Sequence, residues 1–118
     1  MKVVINKSHG QGGFGIRHEV ESLYLQKTGK RMPIAPERHD TVLIECIEEI
    51  GLVESASYGA ELEICELPNG CHYDLFIAPN GSEHIASTWF EIDSETLKQG
   101  FSDSELDRIK QVTFIKVI

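Results

Sequence analysis

The tripeptide Pro-Asn-Gly occurs twice, at 68–70 and 79–81, and this pair of turns constrains the fold more than any other feature of the chain. Proline presets the backbone of a turn, and Asn-Gly readily adopts the positive φ values of tight hairpin turns. Between the two turns, 72–77 alternates polar and apolar residues, and 84–92 is rich in strand-forming residues. The sequence therefore predicts an antiparallel meander in this region.

Further strands are expected before the first turn and at both ends of the sequence. Residues 3–5 are a β-branched run, and 60–64 alternates apolar residues with glutamates. Residues 112–118 are again rich in β formers, which predicts a last strand inside the sheet, with the first strand as a candidate neighbour.

Two longer segments show apolar residues at helical spacing. The first ends at Gly29, whereas the second follows the capping residue Asp40 and ends at Gly51. Their apolar faces consist of Ile16, Val20, Leu23 and Tyr24 in the first segment, and of Val42, Leu43, Cys46, Ile47 and Ile50 in the second.

A short third helix is indicated by Ser102 and Glu105, which have the spacing of a capping box. Together these elements predict an α+β fold: a mostly antiparallel sheet with two or three helices, in which the N-terminal strand leads into a glycine-rich loop and a helix. The length of 118 residues fits one domain spanning 1–118.

Composition excludes several classes of partner. The formal charge of −8 repels phosphate backbones, so nucleic acid is not expected. No apolar run approaches the roughly 18 to 20 residues of a membrane span. The three cysteines lack CxxC spacing, which favours reduced thiols. Residues 1–6 are too short an apolar run for a secretory signal, so a cytoplasmic location is expected, and a homo-oligomer stays open.

The glycine-rich loop at 10–15 formally reads G-x-G-x-x-G, but a dinucleotide fold would need a parallel strand after the helix, and 30–36 contains two prolines. Two interpretations remain. The glycines permit a tight turn that buries Phe14, or exposed backbone N–H groups and nearby cations bind a small anionic or carbonyl-rich molecule. The candidate ligand-binding residues are Lys7, Gly12, Gly13, Phe14 and Arg17, in a basic patch that includes His9 and His18.

No catalytic, metal or cofactor site is predicted. The five histidines lack the spacing of a shared ligand set, and Ser8, Cys65 and Cys71 lie in no nucleophile motif. A pocket assembled from Glu37, His39 and Asp40 is the enzymatic alternative. The acidic density consists of Glu45, Glu48, Glu49, Glu61, Glu63 and Glu66, and it is either a solvated face or a docking surface for a basic partner, with Trp89 as a core residue or an anchor.

Three blocks carry a family resemblance: MKVVINKSHGQGGFG, RHDTVLIECIEEIG and AELEICELPNG with YDLFIAPNGSEHIA. They resemble small uncharacterised proteins encoded by tailed bacteriophages, over roughly the first three quarters of the chain. Relative to that family, Gly10-Gln11 is an insertion before the GGFG segment, and residues after Thr88 do not follow the pattern. The resemblance implies no enzymatic activity.

Small phage proteins of this kind act on host machinery, so the resemblance implies an accessory protein in the cytoplasm of a bacterial host. The first hypothesis is a non-enzymatic binder of a small, nucleotide-like ligand or signal that counters host defence. The alternative is an acidic protein–protein inhibitor of a host factor, which binds through the glutamates at 45–49 and 61–66.

Overall fold

The structure is a computed structural model that describes residues 1–8 and 14–118. Within these residues the chain forms five strands and five helices. The order is β1 (Lys2–Asn6), α1 (His18–Thr28), α2 (Thr41–Ile50), α3 (Leu52–Ser55), β2 (Leu62–Glu66), β3 (His72–Ile77), β4 (Glu83–Ile92), α4 (Ser94–Gln99), α5 (Asp103–Ile109) and β5 (Phe114–Val117). The predicted α+β class is confirmed.

The chain divides into two compact units. The larger unit comprises Lys2–Glu66 and Ile77–His84, and the smaller unit comprises Met1, Leu67–Phe76 and Ile85–Ile118. The single domain expected over 1–118 stays a prediction, and each unit is described by itself below.

The larger unit contains the main hydrophobic core. Strands β1 and β2 pair antiparallel, in a register that runs from Lys2 opposite Glu66 to Asn6 opposite Leu62. The buried core cluster draws on β1, α1, α2 and β2, and consists of Val4, Val20, Leu43, Ile44, Cys46, Ile47, Ala56 and Leu62. Full burial of one such aliphatic side chain contributes about 1.5–3 kcal/mol.

Helix α2 follows its sequence pattern closely. Asp40 caps it through Oδ1, which accepts hydrogen bonds from the backbone N–H groups of Val42 at 2.9 Å and Leu43 at 3.3 Å. The other carboxylate oxygen of Asp40 accepts a hydrogen bond from the Tyr24 hydroxyl at 2.9 Å, which ties α1 to the start of α2. Gly51 ends the helix, as predicted.

The smaller unit contains most of a three-stranded sheet with the order β3-β4-β5. The two strands that the Pro-Asn-Gly turns predict as partners, β3 and β4, are neighbours. Strand β5 pairs with β4 in parallel, rather than with the first strand. The first strand pairs instead with β2. The segment that contains α4 and α5 forms the crossover that the parallel pair of β4 and β5 requires.

Thr88 and Thr113 begin this parallel pairing. The Thr113 N–H donates to the Thr88 carbonyl at 2.8 Å, and the Thr88 N–H donates to the Thr113 hydroxyl at 3.0 Å. The capping box of Ser102 and Glu105 is present at the start of α5, as predicted. The described residues form five helices rather than the expected two or three. The two that were not predicted are α3, a single short turn, and α4, which is capped by Asp93.

Candidate ligand-binding site

Gly15, at the end of the glycine-rich loop, lies directly against the turn at 57–60. A Cβ atom at position 15 would lie 2.2 Å from Ser57 Oγ and 2.9 Å from Ala60 Cβ. The serine hydroxyl can rotate away, but the Ala60 methyl cannot. Ser57 N–H also donates to the Gly15 carbonyl at 3.2 Å, so glycine allows a close backbone approach here.

This approach places Arg17 against the segment that follows α3. The Arg17 N–H donates to the Ser55 carbonyl at 2.9 Å, and its Nε donates to the Ala56 carbonyl at 2.6 Å. The two terminal nitrogens, Nη1 and Nη2, donate to no described residue. The guanidinium is thus anchored at one edge, and its other edge can donate to a ligand.

Arg17 lines a cavity of about 240 Å³, which we call the Arg17 cavity. It lies between α3 and the segment at 56–62, within the larger unit. Its lining residues are Arg17, Leu52, Val53, Ala56, Ser57, Tyr58, Gly59, Ala60, Glu61 and Leu62. Two of them are unusually exposed for their type, Val53 at 79% and Tyr58 at 95%. The cavity thus combines one cation and one carboxylate with an apolar wall and an open aromatic ring.

Lys7 approaches the same segment from its other end. Its N–H donates to the Glu61 carbonyl at 2.8 Å, and its Nζ lies 2.6 Å from Glu63 Oε2. The hydrogen bond and the charge of Glu63 raise the pKa of Lys7. The structure therefore brings Lys7 and Arg17 to two ends of 55–63, but the charge of Lys7 is already paired with Glu63.

Phe14 lies in a different environment from the two cations. It packs against the core cluster, and the Arg38 guanidinium carbon lies 4.0 Å from the centre of its ring. Arg38 in turn forms a two-pronged ion pair with the fully buried Glu83, with nitrogen–oxygen distances of 2.5 and 2.7 Å. These contacts agree with the interpretation in which Phe14 anchors the loop to the core.

The remaining two candidate residues, Gly12 and Gly13, lie outside the described residues, as does His9 of the basic patch. The Arg38–Glu83 pair was not found by sequence reasoning. Its members are 45 positions apart, and no local pattern links them. Tyr58 was not found either, although an aromatic residue in a turn of small residues, Ser57 and Gly59, was a usable signal for an exposed ring.

Of the residues considered for catalysis, Glu37 and His39 lie together, with His39 Nε2 3.2 Å from Glu37 Oε2. Ser8 Oγ donates to Asn6 Oδ1 at 2.9 Å, and Asp40 is occupied by its cap and by Tyr24. Burial, followed by the charge of Glu63, raises the pKa of the Cys65 thiol, which keeps it protonated at neutral pH. In residues 1–8 and 14–118, no three His, Cys, Asp or Glu side chains are grouped to hold a metal ion.

The acidic surface is partly neutralised by lysines. Lys2 pairs with Glu48 at 2.8 Å and Lys27 pairs with Glu49 at 2.9 Å, in addition to the pair of Lys7 and Glu63. Three of the six glutamates considered for partner docking therefore have a cationic neighbour.

Trp89 is a stacked residue of the β3-β4-β5 sheet. Its ring centre lies 5.6 Å from that of His72 and 5.4 Å from that of Phe114, with nearly parallel planes. Both faces of the indole are therefore covered by neighbouring rings, although Trp89 as a whole is half-buried and is not one of the described core residues.

No protein-family model, curated protein or solved structure matches the chain. The resemblance to tailed-bacteriophage proteins, and the bacterial cytoplasm that it implies, therefore stay predictions. Among the described helices, none has the length and apolar character needed to cross a membrane.

Proposed function

We propose that this chain is a non-enzymatic binding protein for a small anionic, nucleotide-like ligand, which it holds in the Arg17 cavity. The position of Arg17 carries the proposal. Its Nε is fixed to the Ala56 carbonyl at 2.6 Å, so the side chain has already lost much of its freedom before a ligand arrives. An arginine held in this way offers two N–H groups to a phosphate or carboxylate at a reduced entropic cost.

The apolar half of the cavity supports a ligand that also has a planar ring. Tyr58 is 95% exposed and Val53 is 79% exposed, and both line the cavity beside Arg17. Stacking of a base on an aromatic side chain contributes about 1–3 kcal/mol and tolerates any base. A volume of about 240 Å³ encloses only part of a nucleotide, so Tyr58 would cover a portion outside the cavity.

The start of α1 contributes a positive field, which Glu19 and Glu21 in its first turn partly offset. Arg17 is the N-cap residue of this eleven-residue helix, and no side chain of the described residues caps this end. The N-terminus of a helix carries a partial positive charge that favours phosphate groups.

The rival hypothesis, an acidic inhibitor of a host protein, is less well supported. Three of its six glutamates pair with lysines, and Trp89 is stacked between two rings.

For the ligand-binding protein, the use that the phage resemblance implies is sequestration of a host signalling molecule in antiviral defence.

The experiment is native mass spectrometry of the purified protein with a panel of nucleosides, nucleotides and simple carboxylates. We expect a bound nucleotide with the unaltered chain and a loss of about 10- to 100-fold in affinity for Arg17→Gln, since a charge-assisted hydrogen bond contributes about 1.5–3 kcal/mol. Arg31→Gln is the matched control, because Arg31 is an exposed arginine that lines a separate cavity of about 450 Å³. Failure of every panel member to bind would overturn the proposal.

A further inference from the structure

The charges around the Arg17 cavity restrict the ligand further. Among the described residues that line it, Arg17 is the one cation and Glu61 the one anion. Lys7, which contacts the same segment, is already ion-paired with Glu63. A single phosphate can therefore be matched by Arg17, whereas each additional phosphate would add negative charge near Glu61 without a new cation.

Glu61 is held in place by its backbone while its side chain stays exposed. Its N–H donates to Asn6 Oδ1 at 3.0 Å, and its carbonyl accepts from the Lys7 N–H at 2.8 Å. Its carboxylate accepts no hydrogen bond from a described residue. Because an ionised carboxylate can only accept, it selects a ligand group that donates, such as an amino group.

The two charged ends lie within reach of one small molecule. Arg17 is anchored at Ala56, and Glu61 follows five residues later, a separation of no more than about 17 Å even in an extended chain. The hydrogen bond from Ala60 N–H to the Ser57 carbonyl, at 2.9 Å, closes this segment into a turn and shortens the distance. Tyr58 lies at the exposed part of that turn, between the two ends.

From this juxtaposition we infer that the ligand is a nucleoside monophosphate whose base carries an exocyclic amino group. Arg17 binds the single phosphate, the Tyr58 ring stacks on the base, and the Glu61 carboxylate accepts a hydrogen bond from the amino group. The inference rests on the proposed function and narrows its ligand class.

Isothermal titration calorimetry tests the inference with adenosine monophosphate, purine riboside monophosphate and adenosine triphosphate, without added metal. Purine riboside monophosphate has a hydrogen in place of the amino group and no ring N–H donor, so we expect it to bind about threefold to tenfold more weakly than adenosine monophosphate. The triphosphate is expected to bind no more tightly than the monophosphate. Equal affinity for the two monophosphates, or tighter binding of the triphosphate, would overturn the inference while leaving the proposed function intact; absence of all nucleotide binding would overturn the proposed function.

The variant Glu61→Gln provides a second readout. A glutamine amide is uncharged, so its hydrogen bond to the amino group loses the charge assistance, and the preference for the amino-bearing base should fall while binding of a nucleotide persists. Glu54→Gln is the matched control, because Glu54 lies on α3 beside the cavity but does not line it. Retention of the preference in Glu61→Gln would contradict the role given to Glu61.

Discussion

The buried ion pair between Arg38 and Glu83 gives a sharp test of what holds the larger unit together. Glu83 is 0% exposed and accepts three hydrogen bonds, two from Arg38 at 2.5 and 2.7 Å and one from the Asn6 N–H at 2.7 Å. Glu83→Ala removes all three, leaving the guanidinium without its counter-ion and the Asn6 N–H without that acceptor. Breaking a buried pair from one side costs about 3–5 kcal/mol.

We expect the lower end of that range, about 3 kcal/mol, because the Arg38 side chain is 16% exposed and can recover part of its hydration. Urea unfolding followed by circular dichroism measures this loss. With a slope of about 1.5 kcal/mol per molar urea, the midpoint should fall by about 2 M. The control is Glu48→Ala, which breaks the exposed pair with Lys2 and should cost about 0–1 kcal/mol.

A double variant distinguishes a lost charge partner from lost packing. Arg38→Met combined with Glu83→Leu removes both charges, and apolar replacements of buried pairs are often neutral or stabilising. The double variant should therefore be more stable than Glu83→Ala alone. A cost below about 1 kcal/mol for Glu83→Ala would refute the reasoning, because it would mean that Arg38 needs no partner.

Four local contacts give further outcomes. Asp40→Ala should lower the free energy of unfolding by about 1–2 kcal/mol in a thermal melt, since it removes the cap of α2 and the acceptor of Tyr24; an unchanged melting temperature would contradict this. The hydrogen bond to Asp40, and then burial, raise the pKa of Tyr24. The protonated hydroxyl therefore stabilises the fold fully below pH 10.0, and this contribution is lost as pH rises through the folded-state pKa. Tyr24→Phe should flatten that alkaline loss of stability. Hydrogen bonds from Thr96 lower the pKa of Asp93, so α4 is stabilised above pH 3.8 and loses this effect as pH falls through the folded-state pKa; a carboxyl NMR titration midpoint at or above 3.8 would disprove it. Gly15→Ala should cost about 1–3 kcal/mol in urea unfolding because its Cβ would overlap Ala60, and a neutral effect would show that the turn can move.

Elements whose signals are local were predictable from the sequence. Helix α2 has a cap at Asp40, one apolar face and a terminal Gly51, and all three signals lie within twelve residues. The pairing of β3 with β4 was also predictable, because Gly81 adopts the positive φ value that the turn between them requires. The turn at 68–70 instead joins β2 and β3, which lie in different sheets, so the predicted meander does not extend to β2.

Contacts between distant residues could not be predicted in the same way. The partner of β5 depends on competition among strands: the first strand pairs with β2, and Thr113 meets Thr88 across 25 positions. Strand propensity in 112–118 contains no information on that choice.

The candidate site shows the same limit. Arg17 was a candidate because of its place after the loop, but its anchor on Ala56 lies 39 positions away. The pairing of Lys7 with Glu63 depends likewise on the register of β1 and β2.

The most direct test of the central claim, that a small anionic ligand binds in the Arg17 cavity, is an NMR titration of the ¹⁵N-labelled chain with adenosine monophosphate. The account predicts that the largest amide shifts fall on Arg17 and on residues 55–62, and that they disappear in Arg17→Gln but persist in Arg31→Gln. Shifts centred on the separate cavity lined by Arg31 and Ile34, or no shifts at all, would contradict it.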